Sequence, residues 1–165
     1  MQYAIIKTDW GPFGFVARKG RLVATFLSRG ETTIRRTIGE RYPEATESRE
    51  LLPGFQDEVK AYFAGQRRRF SIGLELSEQT PFRQAVLDAC RRIPYGKTAT
   101  YADLARAAGR PGAARAVGST MANNPLPLVV PCHRVVRADG SLGGFSSPNG
   151  VKEKRRLLAL EGVTI

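Results

Sequence analysis

The sequence predicts an α+β protein. A small N-terminal lobe of β-sheet and helix spans residues 1–79, and a helical C-terminal domain with a helix-turn-helix spans residues 80–165. Three observations lead there. The first third of the chain holds three short runs of aromatic and branched residues, split by turn-forming residues. From Thr80 onward, apolar residues recur every three or four positions instead. The charge balance also changes: residues 1–80 hold 13 Lys/Arg against 10 Asp/Glu, whereas residues 81–165 hold 13 against 5.

The runs Tyr3–Lys7, Phe13–Arg18 and Leu22–Leu27 read as strands of an antiparallel meander, turned at Trp10-Gly11-Pro12 and Lys19-Gly20-Arg21. Thr32 to Arg41 reads as a weakly patterned helix. Pro53 to Ala64 is a better one, with Phe55, Val59, Tyr62 and Phe63 at helical spacing and Gly65 as its stop. Phe70 to Leu76 alternates enough to predict another strand, and Arg67-Arg68-Arg69 reads as a solvated loop.

In the second half, Thr80 is an N-cap and Pro81 suits the first helical position. Phe82, Ala85, Val86, Ala89, Cys90 and Ile93 follow on one face, which makes Cys90 a core residue. Ile93-Pro94-Tyr95-Gly96 ends that helix. Thr100 and Asp103 form a capping box, and Tyr101, Leu104, Ala105 and Ala108 share the next face. Gly109-Arg110-Pro111-Gly112 is a sharp turn, and Ala113 to Asn123 is a second short helix. Helix, tight turn and helix on a basic half resemble a helix-turn-helix, though many helical hairpins bind nothing. Ala113, Ala114, Ala116, Gly118 and Ser119 make the second helix small on nearly every side. Two explanations stay open: close approach to an outside surface with Arg115 projecting, or tight packing on a neighbouring helix. Val151 to Glu161 closes the chain as a helix with Gly162 at its end. Glu161 falls three and four residues after Leu158 and Leu157, so its carboxylate lies by the apolar face and needs a partner. The only histidine, His133, is the obvious one.

Hydrophobic content of 42% and charged content of 25% fit a globular protein and exclude a disordered one. No apolar stretch approaches the roughly 18–20 residues of a membrane span. The start Met1-Gln2-Tyr3-Ala4-Ile5-Ile6-Lys7 lacks the apolar region of a signal peptide. The expectation is a soluble cytoplasmic monomer with no membrane partner. Two cysteines make no disulfide framework, and with one histidine they make no zinc site of usual spacing. A net charge of +11, concentrated in the second half, suggests a polyanionic partner, with nucleic acid the first candidate and a merely solvated basic surface the alternative.

The most informative segment is Asn124-Pro125-Leu126-Pro127-Leu128-Val129-Val130-Pro131-Cys132, followed by His133 and Arg134. It ends a proline-stiffened apolar run on a thiol beside an imidazole and a guanidinium. A nearby base and positive charge are what convert an inert thiol into a thiolate nucleophile.

Six motifs, in order, resemble the O6-alkylguanine-DNA alkyltransferases, also called methylated-DNA–protein cysteine methyltransferases. They are Ile93-Pro94-Tyr95-Gly96; Tyr101 with Leu104-Ala105; Ala114-Arg115-Ala116-Val117-Gly118; Asn124-Pro125; Pro131-Cys132-His133-Arg134-Val135; and Leu157-Leu158-Ala159-Leu160-Glu161-Gly162. The resemblance covers about residues 80–162; the first 80 match only in length and general pattern.

The resemblance implies an RNase H-like first lobe and a reaction. The partner would be double-stranded DNA carrying O6-alkylguanine. The helix of Arg115 would enter the minor groove, Arg115 would fill the gap in the base stack, and the damaged base would flip towards Cys132. Gly118 and Arg110 would join it in contacting DNA. Cys132 would take the alkyl group from O6. His133 would accept the thiol proton through a water, with Glu161 orienting the imidazole. Tyr101 would hydrogen-bond the base, Ser146 would contact O6, and Val135 would offer backbone contacts. Asn124 would tie the helix-turn-helix to the nucleophile's segment. The thioether product would be permanent, so the protein would act once, with no cofactor. O4-alkylthymine stays open as a second lesion. Phe145-Ser146-Ser147 departs from the aromatic-then-glycine pattern usual in the family, and the zinc ligands of some relatives are missing.

Two rivals remain from the residues alone. One is a noncatalytic lesion-recognising DNA-binding protein, which leaves Cys132, His133 and Glu161 unexplained. The other is a cysteine hydrolase. Neighbouring Cys and His side chains on an extended segment point to opposite faces, which disfavours the direct contact a hydrolase uses.

Overall fold

Two tight turns fold the first 27 residues back on themselves. In the computed structural model, which describes residues 1–27, 30–145 and 150–165, β1 (Gln2–Thr8), β2 (Gly11–Arg18) and β3 (Arg21–Leu27) form the expected antiparallel meander. Lys19 and Gly20 both take positive φ, 51° and 76°, as a two-residue hairpin turn of this hand requires. A fourth strand, β4 (Thr46–Glu47), pairs parallel with β1 and gives the order β3-β2-β1-β4.

The chain divides into two compact units, Met1–Glu75 and Leu76–Ile165. In the first, β2 is buried continuously from Phe13 to Ala17 because a helix covers each face. Helix α1 (Glu31–Arg41) sets Ile34 and Ile38 against Val16, Ala24 and Phe26. It comes so close that a Cβ on Gly14 would lie 2.4 Å from the Ile34 side chain. On the opposite face, Phe13 and Phe15 meet Phe55 and Phe63 of α2 (Pro53–Phe63) edge to face.

The strand expected over residues 70–76 is absent. That segment touches the sheet at one bridge, Leu22 to Leu74, with two backbone hydrogen bonds at Leu22. The Arg21 guanidinium takes the Leu74 carbonyl, at 2.5 and 3.0 Å.

The second unit is helical. Helix α3 (Pro81–Arg91) starts on Thr80, whose hydroxyl accepts from the Arg83 N–H. Val86, Leu87, Ala89 and Cys90 form its buried stripe. The Thr100–Asp103 capping box opens α4 (Tyr101–Ala107), with both reciprocal bonds made. Gly109 and Gly112, at φ 79° and 88°, turn the chain into α5 (Ala114–Ala122). Helices α3, α4 and α5 pack on one another. Helix α6 (Gly150–Leu160) packs on a single 3-10 turn, Cys132–Arg134. Two short strands, β5 (Ala99–Thr100) and β6 (Val135–Val136), pair in parallel. This pair sets the start of α4, and hence Tyr101, beside the chain leaving Cys132. Among the described residues no helix is long and apolar enough to cross a membrane.

Candidate active site

Asn124 organises the segment that presents the thiol. Its side-chain oxygen accepts from Leu126 N–H and its NH2 donates to the Val130 carbonyl, each at 2.9 Å. The loop between them closes with Val130 N–H on the Leu126 carbonyl at 2.8 Å. Leu128 at its centre is held at φ 79°, a conformation costly for a branched side chain. Burial of Leu126, Leu128 and Val130 holds it there.

Cys132 and His133 do not lie on an extended segment, as expected, but on the 3-10 turn. Arg134 N–H bonds back to the Pro131 carbonyl at 2.9 Å, which tightens the chain after proline. Side chains on such a turn still diverge, by roughly 120° per residue. Cys132 therefore faces one way and His133 the other.

Cys132 is 4% exposed and lines a cavity of about 530 Å3. That size suits a small organic group or a base. Tyr101 and Arg137 line it, as do Gly143, Gly144 and Phe145. On the α5 side its walls are Ala114, Arg115, Gly118, Met121 and Ala122. Gly143 must be glycine: its φ is 69° and an added Cβ would lie 2.9 Å from the Tyr101 hydroxyl. At Gly118, by contrast, an added Cβ would meet nothing within 4 Å. Its smallness therefore serves no packing within the described chain.

His133 is fully buried. Its Nε2 is 2.8 Å from Glu161 Oε1. Arg134 donates to the same carboxylate from Nε and Nη2, at 2.8 Å each, and from Nη1 to the Ile93 carbonyl at 2.7 Å. Burial pushes the Glu161 carboxyl up, but His133 and Arg134 outweigh it and bring it down to about 2. Burial lowers the His133 value despite the carboxylate that raises it, so the ring is neutral near pH 7. An ionised carboxylate only accepts, so Nε2 carries the hydrogen and Nδ1 is left as a lone-pair acceptor. Nδ1 has no hydrogen-bond partner among the described residues. The expected His133–Glu161 pairing is present, and the ring is poised to take a proton.

The neighbouring base and positive charge expected to turn the Cys132 thiol into a thiolate nucleophile act here against burial. Burial pushes its thiol up; a hydrogen bond from Asn124, the charge of Lys154 and the backbone N–H groups of Cys132 and His133 pull it only partly back. Arg134 does not help, because a buried guanidinium takes the buried carboxylate instead. With its value above the ordinary thiol range, Cys132 is a protonated thiol near pH 7. Tyr101 is pushed up by burial and by Cys132, and remains a phenol that can donate. Cys90 is buried, with its thiol pushed up chiefly by burial, as a core residue should be.

Not every predicted residue reaches the cavity. Val135 is buried in β6, and its carbonyl accepts from Lys154. Arg110 sits on the α4–α5 turn with its guanidinium 5.1 Å from the centre of the Phe82 ring. Ser146 lies outside the described residues. The sequence reading missed Met121, Arg137 and Lys154. Lys154 had a signal: it precedes Leu157 and Leu158 by three and four positions, so it falls on the same stripe as Glu161.

A family model described as "6-O-methylguanine DNA methyltransferase, DNA binding domain" matches residues 81–163. A methylated-DNA–protein-cysteine methyltransferase of Methanosarcina acetivorans is 36% identical over 98% of this chain and 99% of its own. The constitutive one of Bacillus subtilis is 35% identical over 98% and 96%. A crystal structure of Mycobacterium tuberculosis OGT in complex with DNA superposes with a TM-score of 0.85 at 35% identity, covering 98% of this chain and 92% of that one. Similarity that runs the length of the chain, and includes the half that builds the cavity, makes this protein a member of the methylated-DNA–protein-cysteine methyltransferase family.

Proposed function

We propose that the protein repairs duplex DNA by moving the alkyl group from O6 of a flipped guanine onto the Cys132 sulfur, once and irreversibly. The observation that carries this reading is the position of Cys132: it lines a base-sized cavity whose walls include Arg115 and Gly118. Helices α4 and α5 act as a helix-turn-helix, after a first lobe read as RNase H-like. The small residues of α5 allow close approach to the minor groove, and Arg115 takes the place of the extruded nucleotide. DNA in the complex of the Mycobacterium tuberculosis relative supports the partner.

The chemistry follows from the protonation states. His133 Nδ1 accepts the thiol proton through a water, because the ring faces away from the sulfur. Glu161 stabilises the resulting imidazolium. The thiolate attacks the alkyl carbon, a sulfur–carbon bond forms, and the carbon–O6 bond breaks. Its electron pair leaves with guanine, which picks up a proton and ends as the ordinary base. Tyr101, still a phenol, hydrogen-bonds the departing base. The thioether has no leaving group that the site can activate, so the protein is consumed. No cofactor takes part. A DNA substrate implies an intracellular, cytoplasmic protein, and because a single chain supplies the described lining of the Cys132 cavity, a monomer is sufficient to act.

The test is peptide mass mapping after incubation with a duplex containing O6-methylguanine. The reading requires a gain of about 14 Da, one CH2, on the peptide of Cys132. Binding to the lesion with no gain in mass overturns it in favour of noncatalytic lesion recognition. The same assay with O4-methylthymine decides whether that lesion is a second substrate.

A further inference from the structure

Lys154 is the only lysine among the buried described residues, and its side chain is fully enclosed. It projects from α6 into the second unit. Its ammonium donates to the Val135 carbonyl at 2.5 Å and to the Gly144 carbonyl at 3.3 Å. Val135 directly follows the turn that carries Cys132, and Gly144 belongs to the cavity wall. One ammonium thus joins the nucleophile's segment to the loop that bounds the cavity.

Two carbonyls do not neutralise a buried charge. The buried carboxylate of Glu161 is already occupied by His133 and Arg134. Among the described residues, no ion pair joins Lys154 to a carboxylate. The titratable groups facing Lys154 are the thiols of Cys132 and Cys90, the guanidinium of Arg137 and the imidazole of His133, which the Lys154 charge disfavours in its protonated form. Cys90 is sealed in the core of α3 and stays protonated. Arg137 adds like charge. Only Cys132 becomes an anion during the reaction.

Resting on the alkyl-transfer reading above, we propose that Lys154 is the counter-ion of the Cys132 thiolate and, through the same ammonium, the clamp between that thiolate's segment and the cavity wall. It is a positioning residue: its hydrogen bonds go to backbone carbonyls, and it acts on the sulfur through its field. The coupling is visible from both ends. Burial, helped by Arg137, brings Lys154 down to about 8, while Cys132 and Cys90 pull it up. Lys154 in turn pulls the Cys132 thiol down. This divides the work at the site. His133 moves the proton, and Lys154 holds the charge left behind. When the sulfur becomes a neutral thioether, Lys154 loses its only anionic partner among the described residues.

The test is the pH profile of Cys132 reactivity in the unaltered protein, Lys154→Met, Lys154→Arg and the exposed control Lys152→Met. Each is followed by methyl uptake from O6-methylguanine duplex and by alkylation with iodoacetamide. Lys154→Met is expected to lose about tenfold in both reactions near neutral pH and to regain it as the pH rises by about one unit. Lys154→Arg keeps the original profile at a lower rate, and Lys152→Met matches the unaltered protein. A loss in Lys154→Met that is the same at every pH marks a merely structural residue and overturns the proposal. If that variant does not fold, NMR titration of labelled lysine in the unaltered protein decides. Coupling is reciprocal, so the Lys154 midpoint must fall once Cys132 is carboxamidomethylated; an unchanged midpoint overturns the proposal. Failure of the unaltered protein to take methyl from DNA sinks the alkyl-transfer reading alone, since the iodoacetamide and NMR results are independent of DNA.

Discussion

Replacing Glu161 by Gln removes one charge from the most heavily bonded buried group of the site and keeps its shape. Three donors converge on the carboxylate at 2.8 Å: His133 Nε2, Arg134 Nε and Arg134 Nη2. An amide presents one oxygen and one NH2, so at least one donor then faces another donor. Arg134, 6% exposed, is left as a buried cation without its anion. Removing one partner of a buried pair costs about 3–5 kcal/mol. Titration leads to a similar figure. Burial raises the Glu161 carboxyl, but His133 and Arg134 bring it from 4.5 to about 2. A drop of that size is worth about 3 kcal/mol. Because the folded value lies below the unfolded one, this stability is complete above pH 4.5 and is lost as the pH falls towards 2. Glu161→Gln should therefore lower the melting temperature at neutral pH by roughly 10 °C. It should also lack the acid destabilisation that the unaltered protein shows in that window. The transfer rate should fall about a hundredfold, because nothing then fixes the hydrogen on Nε2 or steadies the imidazolium. Thermal melts at about pH 7 and about pH 3, with single-turnover transfer assays, check all three. A variant that melts within about 2 °C of the unaltered protein and keeps its acid dependence refutes the reasoning.

Three further outcomes follow from the same geometry. Cys132→Ala should bind lesion-bearing duplex and transfer nothing; alkyl uptake on Cys90, measured by peptide mapping, contradicts the division of roles. Arg115→Ala should slow repair in duplex by about tenfold or more while leaving reaction with a free O6-alkylguanine base within about twofold, as the proposed replacement of the extruded nucleotide by arginine requires; equal losses contradict it. Gly143→Ala should cost about 1 kcal/mol or more and slow transfer, since its Cβ would press on the Tyr101 hydroxyl at a positive φ; a melt and a rate equal to the unaltered protein's contradict that.

Much of the site was legible because chemistry and periodicity pointed the same way. Glu161 stood on an apolar stripe where a carboxylate needs a partner, and His133 was the one residue suited to it. The Thr100–Asp103 box and the Thr80 cap are local signals, and the structure forms both. Lys154 carried the same stripe signal as Glu161 but was passed over, because a lysine on such a face usually snorkels to water. What it does instead depends on carbonyls 10 and 19 residues away, which no local pattern reports. Strands β4, β5 and β6 have two residues each, too few to show a period. The expected strand at residues 70–76 shrinks to one bridge, Leu74 on Leu22, a long-range pairing whose extent no local pattern reports. Arg134 was read as an activator of the thiol; in three dimensions the nearest buried anion claims it. Small side chains on α5 had two readings, and the open space beside Gly118 favours an outside surface over packing within the chain.

The most direct test is a titration of protein against a duplex bearing one labelled O6-methylguanine, following the label on both molecules. The account predicts that one label per protein moves to Cys132, that the duplex is left with ordinary guanine, and that added substrate then goes unrepaired. Label that stays on the DNA, settles on another residue, or passes through the protein in many cycles contradicts it.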